Sequence, residues 1–240
     1  MGMYLKDNHV YADYLGYDEH SRQQEGLVVS RHTLPMEISY INEKQIQLLD
    51  ITLGDPRVFV DKEYSRQMIA ESTYHANDQI PNYDVDISVL RKCALVKSLA
   101  LCGNIVHSET LHELPFLRCL SIDNTLGKNK IDLSNLQHLH TLLIQKPGRN
   151  VIGFEHISSL HTLRIWNYTP KCRDLSELNS LEGLEVLDLI QPRIDSLDGL
   201  EQFPSLRRIE IYRSRTLKDI SALEKCKRHI ELVCDPIPVH

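Results

Sequence analysis

Short aliphatic runs recur through the second half of this 240-residue chain at an almost constant spacing. Their central residues are Leu99, Leu120, Leu142, Leu163, Leu187, Ile209 and Ile230, separated by steps of 21, 22, 21, 24, 22 and 21 residues. A spacing held over seven units restricts the chain to a repeat architecture. Each unit is too small to bury its apolar edge alone and must share a core with its neighbours.

Two residues after each centre comes a second aliphatic: Leu101, Ile122, Ile144, Ile165, Leu189, Ile211 and Leu232. That is the period of a strand burying one face. Counting back by three, six and nine residues gives a second pattern, beginning with Val96, Cys93 and Leu90, then Leu117, Leu114 and Leu111, then Leu139, Leu136 and Leu133. The next three units repeat it with Leu160, Ile157 and Phe154, with Leu184, Leu181 and Leu178, and with Leu206, Phe203 and Leu200. Apolar residues at every third position suit a return segment of 3₁₀ turns or short irregular helix, because three residues per turn keep them on one side.

The Leu-x-x-Leu-x-Leu string, recurring over residues 85–235, resembles the leucine-rich repeat. The stretches Asp86-Ile87-Ser88, Asp132-Leu133-Ser134, Asp174-Leu175-Ser176 and Asp219-Ile220-Ser221 are similar to the short-repeat subclass of internalins and some phosphatase regulators. The resemblance implies an α/β repeat fold. In it a solenoid carries a parallel sheet on its concave face, 3₁₀ turns and short or irregular helix on its convex side, and a cap at the N-terminus. The family's usual Asn, three residues after the second strand aliphatic, is present only at Asn104; Thr125, Pro147, Tyr168, Pro192, Ser214 and Asp235 hold the other slots. The loops must therefore satisfy their backbones by other means.

The same resemblance implies which strand residues look outward from the concave face. One column reads Ala100, Ser121, Leu143, Arg164, Asp188, Glu210 and Glu231; the next reads Cys102, Asp123, Gln145, Trp166, Ile190, Tyr212 and Val233. Trp166, Ile190 and Tyr212 then form an apolar strip beside an acidic strip of Asp188, Glu210 and Glu231, with Arg164 and Asp123 on the same surface. Large aromatics among charges are the composition of interface hot spots. A flanking loop or the C-terminal tail covering the strip would explain the same residues. Lys146, Arg149, Lys171, Arg173, Arg193, Arg213 and Arg215 fall in the loops leaving the strands, as a basic rim or simply a solvated face.

Residues 1–85 show no clean repeat and are expected to form the cap, ahead of an array over residues 86–240. Leu49, Ile51 and Leu53 alternate, Gly54-Asp55-Pro56 reads as a turn, and Val58 and Val60 alternate back, which predicts a hairpin. Ile46, Leu49 and Ile51 would suit one more repeat strand, but Glu43 breaks the three-back pattern. Tyr11, Tyr14 and Tyr17 recur every third residue, as on one face of a short docked helix or on an arm that orders on binding. Residues 63–84 read as helix and loop, and two prolines after Cys234 end the array.

The residues that carry chemistry are not arranged for it. The chain has no glycine-rich phosphate loop and no Gly-x-Ser-x-Gly elbow. His138, His140, His156 and His161 lack Cys or carboxylate partners at metal spacing. No catalytic residue, metal or cofactor is expected. Six cysteines without a CxxC pair predict reduced thiols in a cytoplasm. A net charge of -6 argues against a nucleic-acid partner. No apolar run reaches the ~18 residues of a membrane span, and no secretory signal is visible. By elimination the expected work is binding another protein. The resemblance extends to bacterial immunity proteins that neutralise a cognate toxin, where an acidic, aromatic surface would suit a basic toxin domain. A regulatory adaptor of an enzyme such as a phosphatase, or an internalin-like surface adhesion protein, stays open.

Overall fold

The computed structural model describes residues 2–14, 24–72, 83–123, 125, 127–145, 150–178 and 181–235. The fold is α/β, with few helices and an open mixed sheet, and divides into two compact units, Met1–Leu117 and Arg118–His240.

The first unit opens with β1 (Met3–Lys6), β2 (His9–Tyr14), β3 (Gln24–Ser30) and helix α1 (Leu34–Glu43). There follow β4 (Leu48–Thr52), a 3₁₀ turn at Pro56–Phe59, helix α2 (Lys62–Ser72), β5 (Asp84–Asp86), β6 (Ser98–Cys102) and β7 (Asn104–Val106). Strands run in the order β1-β2-β3-β4-β6, antiparallel as far as β3 and parallel from there, while β5 pairs separately with β7. Leu27, Leu49 and Leu99 lie opposite one another, as do Val29, Ile51 and Leu101. The repeat register therefore starts in β3, far ahead of residue 86. Two connections hide it. From β3 to β4 the chain runs through α1, which buries Leu34, Ile38 and Ile41 at α-helical spacing, so the three-residue rule fails there. Between β4 and β6 the 3₁₀ turn and α2 are inserted, stretching one step to 50 residues.

Two expectations for this region are overturned. Asp55-Pro56 starts a helical turn and not a hairpin: the Asp55 side chain accepts from the Arg57 N–H at 2.9 Å and Pro56 takes the first position, which needs no donor. Val58 is thus in the 3₁₀ turn, and Val60 packs against an outer-face cluster of Val10, Ala12, Val28 and Leu48. Tyr11 and Tyr14 lie in strand β2, not on a helix, and Tyr11 is buried; Tyr17 lies outside the described residues. Asp7 and Asn8, both left-handed at φ 51 and 63, make the tight turn that pairs β1 with β2.

The second unit contains β8 (Cys119–Asp123), β9 (Ile131–Asp132), β10 (Thr141–Gln145), β11 (Val151–Ile152) and β12 (Thr162–Trp166). It continues with β13 (Val186–Ile190), β14 (Arg208–Tyr212), helix α3 (Ala222–Lys225) and β15 (Glu231–Asp235). Six strands pair in parallel in the order β8-β10-β12-β13-β14-β15, and β9 pairs with β11. Leu120, Leu142, Leu163, Leu187 and Ile209 form one inward row, each fully buried. The last rung departs from the expected spacing: Ile209 faces Leu232, not Ile230. A slip of two residues keeps the same side chains inward, so alternation cannot detect it.

The return segments show why every third residue is apolar. Leu136 N–H donates to the Leu133 carbonyl and Leu139 N–H to that of Leu136, both at 3.0 Å; the chain Ile87, Leu90, Cys93, Val96 steps along in the same way. Each slot residue thus buries its side chain and closes a 3₁₀ bond. Of the slots read from the sequence only Phe154 is partly exposed.

Successive units alternate in how these segments begin. Asp86, Asp132, Asp174 and Asp219 each accept, through the side chain, from the N–H two residues on, at 2.8–3.0 Å. The intervening units begin on left-handed residues, His107, Gly153 and Gly199. The structural period is therefore two units. A Cβ on Gly199 would stand 2.7 Å from the Ser176 N of the preceding turn, at φ +91. Gly199→Ala is expected to destabilise the unit by about 2 kcal/mol, combining the left-handed penalty with a backbone clash. Urea unfolding reads the loss, and a change under about 0.5 kcal/mol, the scale of neutral surface substitutions, would show that the turn does not need glycine.

Backbone bonds from the residues just past the strands to the ends of the neighbouring strands satisfy part of the loop backbone. Asn167, Gln191 and Arg213, each just past a strand and left-handed, donate to Ile190, Tyr212 and Asp235 carbonyls at 2.8, 2.8 and 2.6 Å. Arg193 N–H then donates to the Tyr168 carbonyl at 2.8 Å.

Candidate functional site

The face of the second unit's sheet opposite the inward rows carries three columns of side chains, because alternate strand residues point the same way. The pairing registers place Trp166, Ile190 and Tyr212 side by side, flanked by Asp123 and Gln145 on one side and Asp235 on the other. Trp166 is 39% exposed, and Ile190 and Tyr212 are half-buried. The apolar strip read from the sequence is present in register. Among the described residues of this unit, Trp166 is the one large apolar side chain that is exposed.

The acidic strip needs correction. Asp188 is 1% exposed and forms an ion pair with Arg164, its register neighbour on β12. Glu231 is two residues out of the expected register. It lies opposite Arg208, while Val233 takes the position beside Glu210, and Asp235 the one beside Tyr212. The two-residue slip of β15 is the cause.

Arg208, not singled out from the sequence, organises this part of the face. Its Nε lies 2.6 Å from Glu210 Oε1 and its Nη1 3.4 Å from Glu231 Oε2. Tyr212 donates its hydroxyl proton to Glu210 Oε2 at 2.8 Å, a bond that raises the phenol's pKa. The alternation that marks Arg164 also marks Arg208, two residues before Glu210 in the third outward column. Burial pushes the Asp188 carboxyl above its ordinary range, and Glu210 adds to this against the opposing pull of Arg164. Asp188 Oδ1 is buried and has no hydrogen-bond donor.

Elsewhere the candidates separate. Asp123 accepts from the Thr125 N–H and hydroxyl at 3.1 and 2.8 Å, just past the end of β8. Of the basic loop residues, Arg173 is paired with Asp195, Arg193, Arg213 and Arg215 are exposed, and Lys146 and Arg149 lie outside the described residues. His138 and His156 are exposed on return segments. Among the described residues no group of three His, Cys, Asp or Glu side chains could hold a metal ion. All six cysteines are thiols; burial pushes Cys93 up to about 11, whereas Cys172 is exposed. No helix among the described residues is long and apolar enough to cross a membrane.

The chain matches no protein-family model and no curated protein.

Proposed function

We propose that this chain is a leucine-rich-repeat solenoid whose work is to bind another protein on the outer face of its second unit. The observation that carries the reading is the Trp166–Ile190–Tyr212 strip, an aromatic-rich row held in register on a rigid ladder with the indole open to solvent. A preordered aromatic anchor among charges loses little freedom on binding, which is why such residues dominate interface energetics. The charge of the face supports a basic partner. Asp123, Asp188, Glu210, Glu231 and Asp235 supply five carboxylates against the two guanidinium groups of Arg164 and Arg208. An immunity protein that neutralises a basic toxin domain in a bacterial cytoplasm is the narrower form of this proposal, and six thiols suit a reducing compartment.

A photo-crosslinking residue at position 166 is expected to trap the partner from native lysate, and one at position 138 is not. For the trapped protein, Trp166→Ala should weaken binding by about 2 kcal/mol or more, the hot-spot scale. Folding stability should change by less than about 1 kcal/mol, as for a largely surface site. Capture at 138 and not at 166 would move the binding surface to the return segments.

A further inference from the structure

Asp188 is the unusual group on the outer face. Every other strand position that carries charge there reaches solvent, yet this carboxylate is sealed to 1% exposure. Its Oδ2 receives Arg164, but Oδ1 receives nothing. Glu210, the register neighbour on β14, has both oxygens engaged, by Arg208 and by Tyr212. A buried carboxylate oxygen without a donor is unfavourable in the free protein, and a ligand that supplies the donor recovers that free energy.

Trp166 lies diagonally across from Asp188, one strand over and two residues along. Diagonal neighbours on one face stand roughly 7–8 Å apart at Cα, within the reach of one long side chain. Among the described residues, cation–ring contacts occur at Tyr11, Tyr40 and Tyr64, and none involves the Trp166 indole. Resting on the proposed binding role of this face, we propose that it anchors an arginine side chain of its partner, the guanidinium stacking on Trp166 and donating to Asp188 Oδ1. A planar fork can do both at once, because its faces stack while its edge donates; a lysine ammonium is a point charge that cannot divide itself in this way. An incoming acidic group would meet the carboxylate excess of the face, where Arg164 and Arg208 already stand in ion pairs with Asp188 and with Glu210 and Glu231, although Arg208 Nε makes no hydrogen bond. Arg164, whose side chain is 34% exposed, is the long side chain that turns aside to admit the newcomer.

Because Trp166 is the single tryptophan of the chain, its fluorescence reports this site alone. The intact protein is titrated with hexa-arginine, hexalysine and hexaglutamate peptides at fixed salt, with calorimetry alongside. Hexa-arginine is expected to shift the emission saturably and to bind at least tenfold more tightly than hexalysine, with no response to hexaglutamate. Asp188→Asn should remove at least tenfold of the hexa-arginine affinity, and Trp166→Phe should weaken it by calorimetry while leaving the fold intact. Glu182→Gln, which removes an exposed charge from a return segment away from the face, should cost less than threefold. Equal affinities for the two basic peptides, or wild-type binding by a folded Asp188→Asn, overturns the arginine anchor. Should Asp188→Asn not fold, the Trp166→Phe result and the arginine-to-lysine ratio decide the matter. A partner lost on Trp166→Ala yet indifferent to competing hexa-arginine leaves the binding face standing and sinks the anchor alone. A partner crosslinked only away from position 166 removes the binding face itself.

Discussion

Leu142→Ala is expected to lower the unfolding free energy of the second unit by about 2–5 kcal/mol, the range for leucine truncation in a packed core. Leu142 is fully buried and lies in register between Leu120 and Leu163. In a stacked array a rung cannot collapse into the space its neighbour vacates, because parallel ladders on both sides fix the strand spacing. The loss should therefore fall toward the upper part of that range. Leu143, the next residue, is also buried but on the opposite face, among side chains that reach solvent. Leu143→Ala should cost less, since water and neighbouring side chains can fill the gap. Urea unfolding of both variants provides the measurement. Equal losses, or less than about 1 kcal/mol at position 142, would contradict a shared core along this row.

Arg164→Ala should cost about 2–3 kcal/mol at neutral pH, below the 3–5 kcal/mol of a fully buried pair because Arg164 is partly solvated. The larger part of that penalty is the carboxylate left behind. Burial and Glu210 already push Asp188 above its ordinary range, and Arg164 is the group that most opposes them. Removing it raises the folded-state value further. An acid whose folded pKa lies above its unfolded one is best tolerated when protonated. Its contribution is fully present below about pH 4, the unfolded value for Asp, and is lost as pH rises through the folded value. The deficit of Arg164→Ala relative to the wild type should thus be small in acid and grow toward neutrality. A deficit independent of pH would mean that Arg164 acts through packing of its stem, and adding Asp188→Asn to the variant should then rescue nothing.

The inward rows were legible because burial enforces a spacing that residue types cannot disguise. Two apolar positions in a strand and one at every third return residue follow from a shared core and from 3₁₀ bonding, and both can be read directly from Leu99 through Ile211. The outward strip Trp166, Ile190 and Tyr212 follows by parity from the same rows. What the one-dimensional pattern lacks is anything that counts residues between rungs when the connection changes type. The α1 connection and the inserted α2 segment concealed the rungs at Leu27 and Leu49, and the two-residue slip at β15 moved Glu231 from the Glu210 column to that of Arg208. Charge pairing is likewise a tertiary decision. Asp188 and Glu210 look alike in sequence, but only the packed face seals one and leaves its oxygen without a donor, because burial of a polar atom depends on every neighbour around it and on no single position.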